Sequence, residues 1–411
     1  MECQDSMLKM ILELGLEISQ IKDIDILLEK ILGEARAFTN CDAGSIYIKD
    51  GNRLHFSYAQ NDTMQKQLTP GRKLPYTRFS MPIDCNSIAG YVAVKRKMLN
   101  IADVYELNDS YQFSFNRSYD QQTGYRTRSM LTIPLVNPRS DVVGVLQLIN
   151  AKDSAGNVIA FRDDQEDIIV YFANNAANAV ERAKMTREII LRMNKMAELR
   201  DPKETGPHVN RVASYAVALY EAWAQKKGIP LKEIDHNRDI LRMAAMLHDV
   251  GKVAISDTIL KKPGRFTPEE FQVMKLHTLY GANLFPDIYS DLDESASIVA
   301  LNHHERWDGK GYPGFIDPKT QQPLSGYEDE NGRARGKKGE EIPFYGRIVA
   351  LADVYDALSS SRCYKEAWTE EDVINEIKKE SGKQFDPELV EVFLDCVDTF
   401  SQIEKLYPDH E

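Results

Sequence analysis

The sequence predicts an α+β domain followed by an all-α helical domain, the two joined by one long helix. Three observations carry this reading. Runs of β-branched and aromatic residues bounded by turn chemistry are confined to the first part of the chain, ending near Asn150. From Asp163 to about Arg200 apolar residues keep an unbroken alternating three-and-four spacing, and from Glu204 onward apolar stretches keep helical spacing throughout. A length of 411 residues suits two domains of about 100–200 residues each. The expected divisions are 1–162 for the first domain, 163–200 for the linker helix and 201–411 for the second domain.

Within the first domain, apolar residues between Met7 and Leu32 recur at helical spacing with a polar step at Lys22 and Asp23, which predicts two short helices. The runs Gly44-SIYIKD and Arg53-LHFSYA, joined by Asp50-Gly51-Asn52, predict a hairpin. Ser129-MLTIPL and Val142-VGVLQLI, separated by the turn-rich Asn137-PRS, predict two further strands. On the linker helix, Ile169, Phe172, Ala176, Ala179, Ala183, Thr186, Ile190, Met193 and Ala197 follow the spacing of a coiled-coil seam, so a homodimer is expected there. The competing reading is one helix packed on its own domain. Helices in the second domain are expected over 209–220, 240–250, 269–285, 296–302, 346–358 and 371–379.

A formal net charge of −12 argues against binding to a nucleic-acid polymer, which rests on basic surface. Five scattered cysteines without a CxxC pair suit a reducing compartment, and the N-terminal stretch lacks the basic start of a signal peptide. No apolar run approaches the 18 or so residues needed to span a bilayer. A cytoplasmic protein without a membrane span is expected.

The chemistry lies in the histidines. Of the eight in the chain, six fall in the helical domain before the tail, and four of these sit in clusters with carboxylates: Glu204-TGP-His208, His248-Asp249 and His303-His304-Glu305. An isolated histidine is usually structural, and His55, His236 and His410 are read so; His277 shares that reading on spacing alone. Adjacent His-Asp and His-His pairs are different, because their desolvation is costly unless something pairs with them. Imidazole and carboxylate ligands without cysteine suit iron, manganese or zinc, and several carboxylates favour a multi-metal site. Such ions would supply the positive charge a phosphoester needs.

Two resemblances follow from these motifs. Ala43-GSIYI, Ser87-IAGYVA, Leu131-TIPL, Gly144-VLQLIN and Phe172-ANNAANAV together resemble a GAF domain, a small-molecule sensor fold, which implies a regulatory role with a small-molecule ligand. The His248-Asp249-Val250-Gly251-Lys252 and His303-His304-Glu305-Arg306-Trp307-Asp308-Gly309-Lys310-Gly311-Tyr312-Pro313 segments closely resemble the HD-GYP family of cyclic dinucleotide phosphodiesterases, a branch of the HD metal-dependent phosphohydrolases. That resemblance implies His208, His248, Asp249, His277, His303, His304 and Asp353 as metal ligands, with Asp249 bridging two ions. Glu204 matches an extra carboxylate that implies a third ion, so two or three divalent ions are expected, with iron or manganese favoured. Lys252, after the Gly251 expected to end its helix, is implied as the catalytic lysine beside Asp249. Gly311, Tyr312, Arg362 and Lys365, with Lys252, are implied substrate contacts.

The implied activity is hydrolysis of cyclic di-GMP to linear pGpG, with a second cut to GMP if three ions are held. Lys252 would support the leaving 3′ oxygen. Alternatives are a phosphodiesterase for a mixed cyclic GMP-AMP, a receptor that binds a cyclic dinucleotide without cutting it, and a general HD nucleotide phosphohydrolase, which leaves the segment from Gly309 to Pro313 unexplained. A polar stretch between Gly314 and Ile342 departs from the family. It reads as a solvated loop whose basic end, from Arg333 to Lys338, is the part able to reach substrate.

Overall fold

The computed structural model describes residues 15–67, 79–108, 110–198, 206–360 and 368–408. Glu204, Arg362 and Lys365 lie outside them. The chain divides into two compact units, Met1–Thr186 and Arg187–Glu411.

In the first unit, helix α1 (Ile24–Thr39) starts at Asp23, whose carboxylate accepts from the Asp25 and Ile26 amides and so satisfies two of the donors a helix start leaves open. Strands β1 (Cys41–Asp50) and β2 (Arg53–Asn61) form the expected hairpin, with Asp50 opposite Arg53 and Gly51 at φ 53°, a conformation that favours glycine. The sheet is completed by β3 (Ser80–Pro82), β4 (Leu99–Ile101), β5 (Met130–Val136), β6 (Val142–Lys152) and β7 (Val158–Ile159). Its order is β3-β2-β1-β6-β5-β4, with β7 on β6, and its pairings are antiparallel. The short β3, β4 and β7 carry too few residues to show an alternation in sequence. Side chains leave a strand to alternate faces, so Ile46, Ile48, Leu146 and Leu148 enter one core while Tyr47 and Val145 enter another on the opposite face, against α2 (Ile88–Lys95).

Helix α3 (Glu166–Glu198) is the long linker. Its expected dimer seam is corrected here: Ile169, Phe172, Ala176, Ala179 and Ala183 are buried in the first unit's own core, with α1 and the sheet, and Ile190 is buried in the core of the second unit. Their spacing reports a face that the chain itself covers. The exposed apolar residues of α3 are Tyr171, Met185, Ile189 and Met196.

The second unit is helical: α4 (Gly206–Lys226), α5 (Leu231–Met246), α6 (Pro268–Lys275), α7 (His277–Ala282), α8 (Asp291–Asn302), α9 (Phe344–Ser359), α10 (Glu370–Lys379) and α11 (Pro387–Leu406). Two expectations change. The helix expected over 269–285 is two helices that meet at Leu276, and α5 ends at Met246, short of the Val250 expected. Helix α11 was not anticipated, although its Leu389, Val390, Phe393, Cys396 and Phe400 repeat at helical spacing and fill the core with Tyr215 and Tyr355. Among the described residues no helix is long and apolar enough to cross a membrane.

Ala177 has no exposed surface, whereas Met185 is 65% exposed. Ala177→Leu is expected to cost about 1–3 kcal/mol by overpacking, and Met185→Gln less than about 0.5 kcal/mol. Urea unfolding followed by circular dichroism checks both, and equal midpoints for the two variants would contradict this assignment of faces.

Candidate metal centre

The clustered histidines stand at helix ends or one turn inside them. His248 and Asp249 follow α5, His303 and His304 follow α8, His277 opens α7, His208 lies in the first turn of α4, and Asp353 projects from α9. They converge in two groups. Asp249, His277, His303 and His304 form one, and His208, His248 and Asp353 form the other, with the potential ligand atoms of each group within 4.8 Å of one another. His277, which spacing alone assigned to structure, is therefore in the cluster.

Each ring is aimed by its rear nitrogen. Nδ1 of His248 lies 2.8 Å from the Ala245 carbonyl, that of His277 2.7 Å from the Met274 carbonyl, and that of His303 3.1 Å from the Val299 and Ala300 carbonyls. A carbonyl only accepts, so in each ring the proton sits on Nδ1 and the Nε2 lone pair points into the cluster. His208 does the same through Nδ1 and the Asp356 carboxylate at 2.8 Å.

The Asp249 carboxylate joins the groups. Its Oδ1 lies 3.2 Å from His277 Nε2 and 3.6 Å from His303 Nε2, while Oδ2 lies 3.3 Å from His248 Nε2. Asp353 Oδ1 lies 3.8 Å from His208 Nε2 and 3.9 Å from His248 Nε2. Buried Asp249 Oδ1 receives no hydrogen bond. Neutral imidazoles tautomerised this way cannot donate to it, so lone pairs face lone pairs across gaps that a cation would fill. The donor set thus fits divalent ions of the iron, manganese or zinc class.

Electrostatics agree. Burial opposes the charge on Asp249, but the Lys252 ammonium beside it favours that charge, and the carboxyl is held well below the usual range. Burial pushes His303 down, and burial together with His303 and His277 pushes His304 well down, so both are neutral donors near pH 7. Lys252 Nζ lies 2.7 Å from Asp249 Oδ2. It is held by a 3₁₀ turn, Val250–Ala254, and Gly251 serves close approach rather than ending a helix: a Cβ there would stand 1.9 Å from the His277 carbonyl. Gly311 is similarly confined, a Cβ falling 2.3 Å from the Arg306 amide. Tyr312 sits with its ring 4.9 Å from that of His304, and burial raises its phenol, which stays protonated.

Sequence reasoning gave Asp356 no role and named Glu305 only as a member of the His303-His304-Glu305 cluster. Buried Asp356 orients His208 and accepts from Arg211 Nε at 2.6 Å and Nη2 at 3.0 Å. Its signal was its place one turn after Asp353. Glu305 accepts from the Gly314 and Lys337 amides, and the Lys337 ammonium donates to Asn302 Oδ1, so the polar stretch after Gly314 is tied beneath the His303-His304 turn. Arg335 pairs with Glu341 at 2.8 Å and packs over Phe315 and Tyr327. Of the basic end, Arg335 and Lys337 are therefore engaged, whereas Arg333, Lys338 and most of residues 319–333 are exposed, as a solvated loop would be.

A helical domain whose helix ends bring together two groups of candidate divalent-metal ligands, preceded in sequence by an α+β domain, is the class this fold and site define. The chain carries a GAF domain, matched over residues 23–180, and an HD domain, matched over residues 205–358. It is 36% identical over 230 residues to the 3′3′-cGAMP-specific phosphodiesterase 2 of Vibrio cholerae, covering 56% of this chain and 38% of that protein. It is 36% identical to a cyclic di-GMP phosphodiesterase of the same organism, covering 64% and 48%, and 39% identical to the cyclic di-GMP phosphodiesterase of Thermotoga maritima, covering 50% and 48%. The chain spans less than half the length of each of these relatives.

Asp356→Asn is expected to lower metal affinity by about 10–100-fold, as loss of an outer-shell partner to a ligating histidine does. Competition against a fluorescent chelator measures it. Affinity equal to wild type would remove Asp356 from the site.

Proposed function

We propose that this protein is an HD-GYP phosphodiesterase that hydrolyses cyclic di-GMP to pGpG and onward to GMP, under the control of its GAF domain. The observation that carries the proposal is the Asp249 carboxylate, with one oxygen facing His277 and His303 and the other facing His248. A carboxylate so placed suits two adjacent cations, the arrangement that serves phosphoester displacement. On this reading His208, His248 and Asp353 hold one ion and His277, His303 and His304 another, with Asp249 shared. Glu204 supplies a third site, and iron or manganese is the metal. When bound, the ions supply Lewis-acid stabilisation of the phosphoryl group and activate water.

The chain's own groups do the rest. Lys252 places an ammonium at the shared carboxylate, where it donates a proton to the departing 3′ oxygen. Tyr312, a phenol at this site, donates to substrate rather than titrating. Gly311 leaves room for the close turn that presents it. Arg362 and Lys365 grip the second phosphate. A mixed cyclic GMP-AMP is the second substrate reading, favoured by the name of the Vibrio cholerae relative at 36% identity.

The proposed boundaries of the catalytic domain are 201–411, with 1–162 as sensor and 163–200 as linker, in a cytoplasmic protein. A homodimer would use the exposed Met185, Ile189 and Met196 of α3. Coupling runs along α3, because Asn194 on that helix donates to the Met246 carbonyl at 2.9 Å, two residues before His248.

His248→Ala combined with Asp249→Ala is expected to abolish both bound metal, by elemental analysis, and release of pGpG from cyclic di-GMP, by chromatography. Retained turnover would refute the reading. Inserting one to four residues after Arg187 is expected to change activity with the phase of an α-helix, about 3.6 residues per turn. A flat response across the four insertions would exclude control through α3.

A further inference from the structure

Beside the metal cluster lies an aromatic surface that the ligand groups do not use. Phe271, on α6, is 42% exposed. Its ring centroid stands 6.1 Å from that of Tyr312, which in turn stands 4.9 Å from His304 and 6.4 Å from His277. Lys275 Nζ lies over both aromatic rings, 4.9 Å from Phe271 and 5.1 Å from Tyr312. On the far side of Phe271 a cavity of about 550 Å³ opens, lined also by Arg265, Phe266 and Gln272. That size lies within the usual range for small-molecule sites.

The helix that carries Phe271 is capped. Thr267 caps α6 with its hydroxyl on the Glu270 amide, Glu270 returns a carboxylate to the Thr267 amide at 2.7 Å, and Lys262 ties to the same carboxylate. The cap fixes the backbone from which the ring projects.

We infer that Phe271 and the cavity beside it form a purine subsite in which one base of the dinucleotide stacks on the Phe271 ring while Arg265 reads the guanine edge. The inference rests on the phosphodiesterase reading for its substrate. A planar base has a π-face that stacks on an aromatic ring, and a cation above the same rings favours an anionic nucleotide over a neutral aromatic ligand. Arginine presents a donor fork that matches N7 and O6 of guanine, whereas adenine offers a donor at the second of these positions. Gln272, able to donate and accept, suits either purine.

The test uses the full-length, metal-loaded protein with GMP and AMP as binding probes and cyclic di-GMP as substrate. Phe271→Ala is expected to raise the Kd for GMP and the KM for cyclic di-GMP by about tenfold, equivalent to roughly 1.4 kcal/mol, and Phe271→Trp to restore both. Arg265→Ala is expected to narrow the preference for GMP over AMP. Melting temperatures and metal content identify any variant that has merely misfolded, and the Trp variant then carries the test. Wild type that binds no GMP, or Phe271→Ala with unchanged Kd, overturns the stacking assignment; an unchanged GMP-to-AMP ratio in Arg265→Ala overturns the guanine assignment. If GMP binding falls as expected while wild type leaves cyclic di-GMP uncut, the subsite stands and the phosphodiesterase reading falls.

Discussion

The helical unit depends on one electrostatic conflict: a buried carboxylate, Asp249, surrounded by imidazoles whose lone pairs point at its oxygens. Leaving a charge in a protein interior without a partner costs several kcal/mol. Lys252 offsets part of that cost at Oδ2, but Oδ1 faces only the unprotonated sides of His277 and His303. Protonating His303 would relieve its contact with Oδ1, yet burial disfavours the charged form of that ring. Divalent cations remove the conflict at every point together. Ligand binding of this kind adds to stability by mass action, so the unit's resistance to unfolding is expected to track metal supply.

That conflict accounts for where the ligands stand. A histidine in the middle of a helix presents its ring along one face, and the carbonyls of its own turn are already engaged. At a helix end the last carbonyls are free of the regular helical pattern, and those of Ala245 and Ala300 accept from the rings of His248 and His303, three residues on in each case; the Ala245 carbonyl also takes the His248 amide. The ring contact selects the metal-binding tautomer. The cost is crowding between the helix ends. At Gly251 the backbone meets the start of α7 so closely that no side chain fits, and at Gly311 the loop folds back on Glu305 and Arg306 in the same way.

Much of this was legible in sequence where chemistry is concentrated locally. His248-Asp249 and His303-His304 announced a metal site because no core gains from such pairs. His277 did not, since its partners arrive from other helices and only the resemblance assigned it. Asp356 and Glu305 were hidden for a related reason: their roles depend on Arg211 and Lys337, distant in sequence, and a carboxylate on a helix or in a turn carries no mark of what it will meet. The long helix failed differently. A three-and-four repeat shows that one face is buried but not against what, and the alanines at 176, 179 and 183 are as well suited to lying on the helix's own domain as to meeting a second copy. Strands β3, β4 and β7 were too short for any period to emerge.

The same helix links the two halves of the problem. Its early alanine face is locked into the first unit's core, where substitutions for larger side chains are poorly tolerated. Further along, Ile190 enters the second unit's core and Asn194 caps the carbonyl of Met246 at the end of α5. Two residues beyond that carbonyl stands His248, whose ring is aimed by Ala245 in the same final turn. Within the second unit, α3 thus bears on the last turn of α5, and with it on a histidine that faces both carboxylates of the cluster, Asp249 and Asp353. Because metal ligands must be held within a few tenths of an ångström, a displacement of that turn too small to disturb the second unit's core is large enough to alter the site.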